Sequence, residues 1–206
     1  MSQGEVLYTI GHSDHELEAF VSLLRMHGVT AVADVRSQPY SRFLPQYNRE
    51  VLKVSLREAG IGYVFLGEEL GARRAERACY REGRARYELI AGLAAFGAGL
   101  ERVREGMREH RVALMCAEKD PVTCHRMVLV CRRLRGEGFE IGHILEDGRL
   151  ETNEEAEGRL IAAAGLAAEG LFQSREQIIE EAYDVQGERI AYVEREVADA
   201  EAEGVA

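Results

Sequence analysis

No run of about eighteen or more apolar residues occurs in this sequence, which excludes an ordinary membrane-spanning helix. The opening MSQGEVLYTIGH enters a strand pattern at once, without the basic, apolar and small-residue succession of a secretory signal, so a cytoplasmic chain with no membrane role is expected. Cysteine is scarce. Cys79, Cys116, Cys124 and Cys131 are too few and too unevenly placed for a disulfide scaffold, and free thiols are expected. Lysine is scarcer still, with only Lys53 and Lys119 among 26 basic residues. The arginine bias suits bidentate anion recognition, and equally suits a GC-rich genome. There is no internal repeat and no Pro- or Ser-rich linker. GxxxxGK[ST] and GxGxxG are both missing, so a Walker-type nucleotide mechanism has no support.

What is present is a globular composition, 46% apolar and 30% charged over 206 residues, enough for one domain with an extension. The net charge of −10 belongs to one end. Residues 150–206 hold 15 acidic residues against 4 arginines, and the remaining 22 basic and 21 acidic residues nearly cancel, so the rest of the chain is free to present a basic face.

Apolar runs at Val6 to Gly11, Ala31 to Val35, Tyr63 to Leu66, Val112 to Cys116 and Ile141 to Leu145 predict five short strands. Helical spacing separates them: Leu17 to Leu24, Val51 to Ala59, Leu89 to Val103, and Met127 to Leu134. Ser13 or Asp14 is placed to cap the first helix, and Gly28, Gly60 and Gly136 or Gly138 to end helices. Such alternation implies an α/β fold: a mostly parallel five-stranded sheet with helices on both faces, a Rossmann-like three-layer sandwich. The expected division is an α/β core over 1–149 and an acidic helical extension over 150–206 packed on it. That extension carries helical patterns near Asn153 to Ala168 and Glu176 to Val197, a fraying end and a possible homodimer contact.

Ligands of parallel sheets bind beyond the carboxyl ends of the strands. Those positions hold His12 and Ser13, then Asp34, Arg36, Ser41 and Arg42, then Glu68, Glu69 and Gly71, and finally Cys116 to Arg126. In CAEKDPVTCHR the turn begins at Asp120 or Pro121, and Cys124, His125 and Arg126 fall in the first turns of a helix. There free N–H groups, Lys119 and Arg126 favour a phosphate or carboxylate. An exposed Cys124 would be acidified and nucleophilic there, while Cys116 suits a buried structural role. A cysteine-dependent phosphatase fails on spacing, because the sixth residue after Cys116 is Val122 and not arginine. Zinc is disfavoured, since Cys116 and Cys124 stand eight apart and the neighbours Cys124 and His125 diverge on a helix, so no metal and no cofactor is expected.

Arg36 and Arg42 suit anion clamping, with Asp34 as orienter or base, while an internal ion pair that fixes the loop explains the same residues. His12 can shuttle protons or simply hydrogen-bond. Residues 73–86 carry six arginines with Tyr80 and Tyr87 interleaved, a pattern open to nucleic acid, although Glu76, Glu82 and Glu88 dilute it into a solvated face.

TIGHS at 9–13, DVRSxPxSR at 34–42, GIGYVFLGEELGA at 60–72 and CAEKDPVTCHR at 116–126 together resemble the domain-of-unknown-function 488 family, from about Leu7 to Asp147 and more loosely through 182–193. The resemblance implies an α/β fold. It also marks His12, Ser13, Asp34, Arg36, Pro39, Ser41, Arg42, Cys116, Glu118, Cys124, His125 and Arg126 as recurring positions, without an established reaction. The leading expectation is an enzyme acting on a phosphorylated or otherwise anionic substrate, a nucleotide or nucleic acid. In it His12, Ser13, Arg36, Ser41, Arg42, Lys119 and Arg126 bind the anion, Asp34, Glu118 and His125 move protons, and Cys124 attacks. The alternatives are a non-enzymatic nucleic-acid-binding module and a thiol redox or metal-binding protein using Cys116 and Cys124.

Overall fold

The computed structural model of the protein describes residues 6–167 and 173–194. All five expected strands form: β1 (Val6–Gly11), β2 (Ala31–Asp34), β3 (Gly62–Phe65), β6 (Val112–Cys116) and β7 (Glu140–Ile144). They run parallel in the order β3-β2-β6-β1-β7. Central β6 is buried at all five residues, as a continuous Val-Ala-Leu-Met-Cys run covered on both faces should be.

The sheet has a sixth strand where five were expected. β8 (Leu150–Thr152) pairs antiparallel with β7 through a turn at Asp147 and Gly148, whose φ of 84° only glycine adopts readily. Three residues of Leu-Glu-Thr at a sheet edge carry no apolar run, so periodicity misses them. A second ribbon, β4 (Tyr80–Arg81) with β5 (Arg84–Ala85), turns at Glu82 and Gly83, both at positive φ.

Two helices cover one face: α1 (Leu17–Met26) and α2 (Arg49–Glu58), through Phe20, Leu24, Leu52 and Leu56 against Ile10, Val32 and Met115. The cap expected from Ser13 or Asp14 does not form. Helix α1 starts one turn later with Glu16 at its N-cap, and the Ser13 hydroxyl donates instead to the Asp14 carboxylate. Helix α3 (Gly67–Leu70) follows β3 and buries Leu70 in the core of the opposite face. The helix expected over Leu89 to Val103 is split at Gly92 and Leu93 into α4 (Tyr87–Ala91) and α5 (Ala94–Met107), since glycine weakens a helix interior. Helix α5 and a helix that is π-wound over Arg126–Cys131 and continues as α6 (Arg132–Leu134) cover the opposite face.

Helices α7 (Asn153–Ala164) and α8 (Arg175–Ile190) each open on a capping box, Thr152 with Glu155 and Ser174 with Gln177. Both bury apolar residues in the same core as α5, and acids of α8 pair with arginines in and just after α6: Arg132 with Glu180 and Asp184, Arg135 with Glu176 and Glu180. Part of the acidity of the tail is thereby matched within the chain. Both helices end sooner than the expected Ala168 and Val197: α7 stops at Gly165, which is left-handed at φ 78°, and α8 at Ala191, while the expected fraying falls on residues outside the described ones.

Neighbouring strands β2 and β6 send the chain in opposite directions, β2 towards β3 and β6 across β1 to β7. At such a switch point the loops diverge and leave a crevice beyond the strand ends.

Candidate functional site

The loop after β6 folds back on itself because its polar groups are held from several sides. Asp120 accepts the Val122 amide at 3.0 Å and is clamped by Arg159 at 2.9 and 3.0 Å, and Pro121 opens a 3₁₀ turn. Arg126 is fully buried; its guanidinium donates to the carbonyls of Glu118 and of Lys119 (2.9 Å) and to the Thr9 hydroxyl at 3.3 Å. The Thr9 hydroxyl in turn meets His143 Nδ1 at 2.8 Å, and His143 Nε2 meets Asn153 Oδ1 at 3.2 Å, so a buried polar chain ties the loop to α7. Gly11 makes room for the returning loop, since a Cβ there would collide with the Glu118 carbonyl.

This return brings together four side chains. Glu118 Oε2 lies 2.9 Å from Cys116 Sγ and 3.0 Å from Cys124 Sγ. His125 Nδ1 lies 3.6 Å from Cys116 Sγ and 4.0 Å from Cys124 Sγ, while its Nε2 donates to the Val35 carbonyl at 3.0 Å. The donor atoms of Cys116, Glu118, Cys124 and His125 all lie within 4.8 Å of one another. The two cysteines and the histidine are buried, whereas Glu118 is exposed. Burial opposes ionisation of Cys124. The hydrogen bond from Cys116 and the charges of Arg126 and His125 outweigh it, and the thiol is held well below its ordinary range. Burial and the hydrogen bond to an ionised Cys124 push Cys116 the other way, so the pair keeps one proton and yields the other. Burial also opposes a charge on His125, yet its hydrogen bond to Cys124 and the neighbouring negative groups raise its pKa.

The expected helix start is present, but its first N–H groups are occupied. Cys124 itself is extended, His125 is the N-cap, Arg126 N donates to Cys124 Sγ at 3.4 Å, and the amides of Met127 and Val128 go to the Cys124 carbonyl. The negative group at this helix start is the chain's own sulfur.

A pocket of about 300 Å³ opens on the cluster. Cys116, Glu118 and His125 line it from the β6 side, Arg36, Ser37, Gln38 and Tyr40 from the β2 side, and Arg73, Tyr87 and Tyr192 complete the wall. Arg73 is exposed, stacked over the Tyr192 ring at 4.7 Å, with the Gln38 amide oxygen at 3.4 Å. Tyr192 is held there because its carbonyl accepts the Ala85 amide and Val193 bridges to Arg84 of the β4–β5 ribbon.

The remaining expected positions fall in several environments. Asp34 is fully buried and bound by Arg36 (Nε 2.9 Å, Nη2 2.7 Å) and by the Tyr63 hydroxyl at 2.8 Å. Arg36 spends further donors on the Tyr47 carbonyl at 2.9 Å and on His12 Nε2 at 3.2 Å. His12 is buried and stacked on Tyr47 at 4.0 Å, and burial together with the Arg36 charge lowers its pKa to about 4. These three form a fixed internal network that holds the pocket wall. Ser41 accepts the amides of Phe43 and Leu44, closing its own turn. Arg42 is exposed over Phe43, away from the pocket lining, and Ser13 bonds Asp14. Lys119 pairs with Glu146 at 3.0 Å on a separate surface depression. Of the sulfurs, Cys116 lines the pocket and Cys124 lies behind it.

In the arginine-rich segment, Arg74 pairs with Glu76, Arg77 with Glu194, and Arg86 with Glu88 and Glu188, while Arg81 and Arg84 donate to carbonyls. Arg73 is the residue of that segment that lines the pocket, and Ser37, Gln38, Tyr40, Tyr87 and Tyr192 join it there without having been singled out for the site. The signal for Arg73 lay in its place after α3, on the same strand edge; that for Tyr192 lay in the AYDVQGERIAYV stretch.

Residues 16–132 match the sequence profile of the family described as Domain of unknown function DUF488. Searches of curated proteins and of solved structures find no match. The matched span is more than half of the chain, and the protein belongs to that family.

Proposed function

We propose that this member of the DUF488 family is an enzyme acting on a small anionic substrate, a phosphorylated compound such as a nucleotide, in the pocket between the ends of β2 and β6. The observation that carries the reading is the convergence of a carboxylate, an imidazole and a cysteine sulfur on the floor of a pocket whose wall offers an arginine, with a second sulfur just behind. Arg73 is exposed and only weakly engaged by Gln38, so its guanidinium can take an anion without breaking an internal ion pair. Tyr40, Tyr87 and Tyr192 supply surface for a planar group. Glu118 sits between the sulfurs and the pocket and is the group that moves protons.

Arg36 and Arg126 support the site from within: both spend their donors on the chain itself. The carboxylate pairing of Arg74, Arg77 and Arg86 weighs against an extended nucleic-acid face, and a pocket of about 300 Å³ suits a single small molecule.

Calorimetric titration with inorganic phosphate and with nucleoside monophosphates tests the reading. Binding is expected for the wild-type chain and roughly tenfold or more weaker for Arg73→Ala, the size of one charge-assisted hydrogen bond. Absence of binding by the wild-type chain, or equal binding by Arg73→Ala, overturns it.

A further inference from the structure

We propose that Cys116, Cys124 and His125 bind a zinc ion at the floor of the pocket, with Glu118 as a fourth, exchangeable ligand. The spacing along the chain argues against this, since eight positions separate the cysteines; the folded loop supplies the proximity that the spacing lacks. A tetrahedral ion with Zn–S of about 2.3 Å and Zn–N or Zn–O of about 2.0–2.2 Å sets its ligand atoms roughly 3.3–3.8 Å apart. The separations here, 2.9, 3.0, 3.6 and 4.0 Å, bracket that range, so small side-chain adjustments suffice.

Three further features point to an ion. His125 Nε2–H donates to the Val35 carbonyl, so in the neutral ring Nδ1 presents its lone pair to the sulfurs; an outer hydrogen bond of this kind orients metal-bound histidines. Cys124 Sγ receives the Arg126 amide, which supports a thiolate. The ligand set of two thiolates and one imidazole selects zinc over calcium or magnesium. Charge also balances in this buried place. Two thiolates neutralise one Zn²⁺, and binding releases to solvent, past Glu118, the one proton that the thiol pair retains in the metal-free chain, with no change of oxidation state.

Three ligands are buried, and the carboxylate stands on the pocket side. That asymmetry is the pattern of a catalytic ion, which keeps one position open, rather than of a closed structural site. Exchange of Glu118 for water or a substrate oxygen would place the ion in contact with the pocket. Only this catalytic role rests on the reading of the pocket as an anion site; the presence of the ion does not.

The test is the metal content of the full chain purified from zinc-supplemented medium, together with Co²⁺ titration of the metal-free chain. Wild type and Cys131→Ser, which alters a buried thiol outside the cluster, are expected to hold about one zinc per chain. Both should give a thiolate-to-cobalt charge-transfer band and the visible bands of a tetrahedral ion. Cys116→Ser, Cys124→Ser and His125→Ala should lose the stoichiometric ion while circular dichroism still shows the fold, and Glu118→Gln should keep the charge-transfer band at weaker affinity. A wild-type chain without the tetrahedral spectrum, or cluster variants that bind cobalt as the wild type does, overturns the proposal. So does a Cys116–Cys124 disulfide that forms on mild oxidation equally with and without added zinc. Zinc held by a wild-type chain that binds no anion, or that binds it no better than Arg73→Ala does, would sink only the pocket reading, and anion binding without zinc only this one.

Discussion

The imidazole of His125 donates through Nε2 to the carbonyl of Val35 at 3.0 Å, fastening the turn after β6 to the end of β2. That bond fixes which ring nitrogen faces the sulfurs, and it spans the crevice at which the two loops part. The chemistry of the cluster and the shape of the pocket are thus set by the same residue. Each consequence can be measured.

Arg126 is expected to be the strongest single support of the loop. Its replacement by leucine leaves the Glu118 and Lys119 carbonyls and the Thr9 hydroxyl without their donor, at a cost of about 3 kcal/mol or more. Urea unfolding should show that loss. A change below about 0.5 kcal/mol, the range of ordinary surface substitutions, would contradict the assigned role.

Two glycines should behave oppositely. Gly11→Ala drives a Cβ into the Glu118 backbone and is expected to destabilise by about 1–3 kcal/mol, whereas nothing lies within 4 Å of a Cβ on Gly97 in α5. Gly97→Ala should therefore stabilise by about 0.4–1 kcal/mol. Thermal unfolding of the two variants side by side decides the matter, and equal shifts would refute it.

Acid should weaken the metal-free chain through two buried histidines. His12 and His143 have folded pKa values of about 4 and about 3, below the ordinary 6.5, so the unfolded chain takes up protons first as pH falls. Their contribution is fully present above pH 6.5 and is lost as pH drops, towards 4 for His12 and towards 3 for His143, by about 3 kcal/mol for His12 alone. His125, whose pKa is raised against burial by its hydrogen bond to Cys124, acts in the opposite direction: its contribution is present at low pH and is lost as pH rises. Stability measured from pH 7 to 4 should fall less steeply in His12→Gln than in wild type, and identical slopes would count against the assignment.

One thiolate should be present in the metal-free chain well below the ordinary thiol range. Its ultraviolet absorbance is expected to vanish in Cys124→Ser and to shift to higher pH in Cys116→Ala, which removes the hydrogen bond that favours it. Persistence in Cys124→Ser would assign the charge to Cys116 instead.

Much of this architecture can be read in advance. The runs at Val6, Ala31, Tyr63, Val112 and Ile141 announce parallel strands because buried strands need continuous apolar side chains, and that places the Cys116 to Arg126 turn at the working edge. Leu150 to Thr152 escapes notice because an edge strand of three residues needs none. Charge alone made Arg36, Arg126 and Lys119 equivalent anion binders; burial separates them, since a fully buried guanidinium must satisfy itself within the chain. Spacing rules for zinc ligands describe short knuckles, and so they pass over two cysteines joined by a loop that returns. Arg73 was hidden among neighbours of the same type whose glutamate partners only the fold reveals.

The pocket between Arg73 and Glu118 is where a ligand is expected to bind. Backbone amide shifts of the full chain, followed by NMR while a nucleoside monophosphate is added, test this directly. The largest changes are expected at Ser37, Gln38, Arg73, Ala117 and Glu118; no saturable change there, or changes concentrated at Arg77 to Arg86, would contradict it.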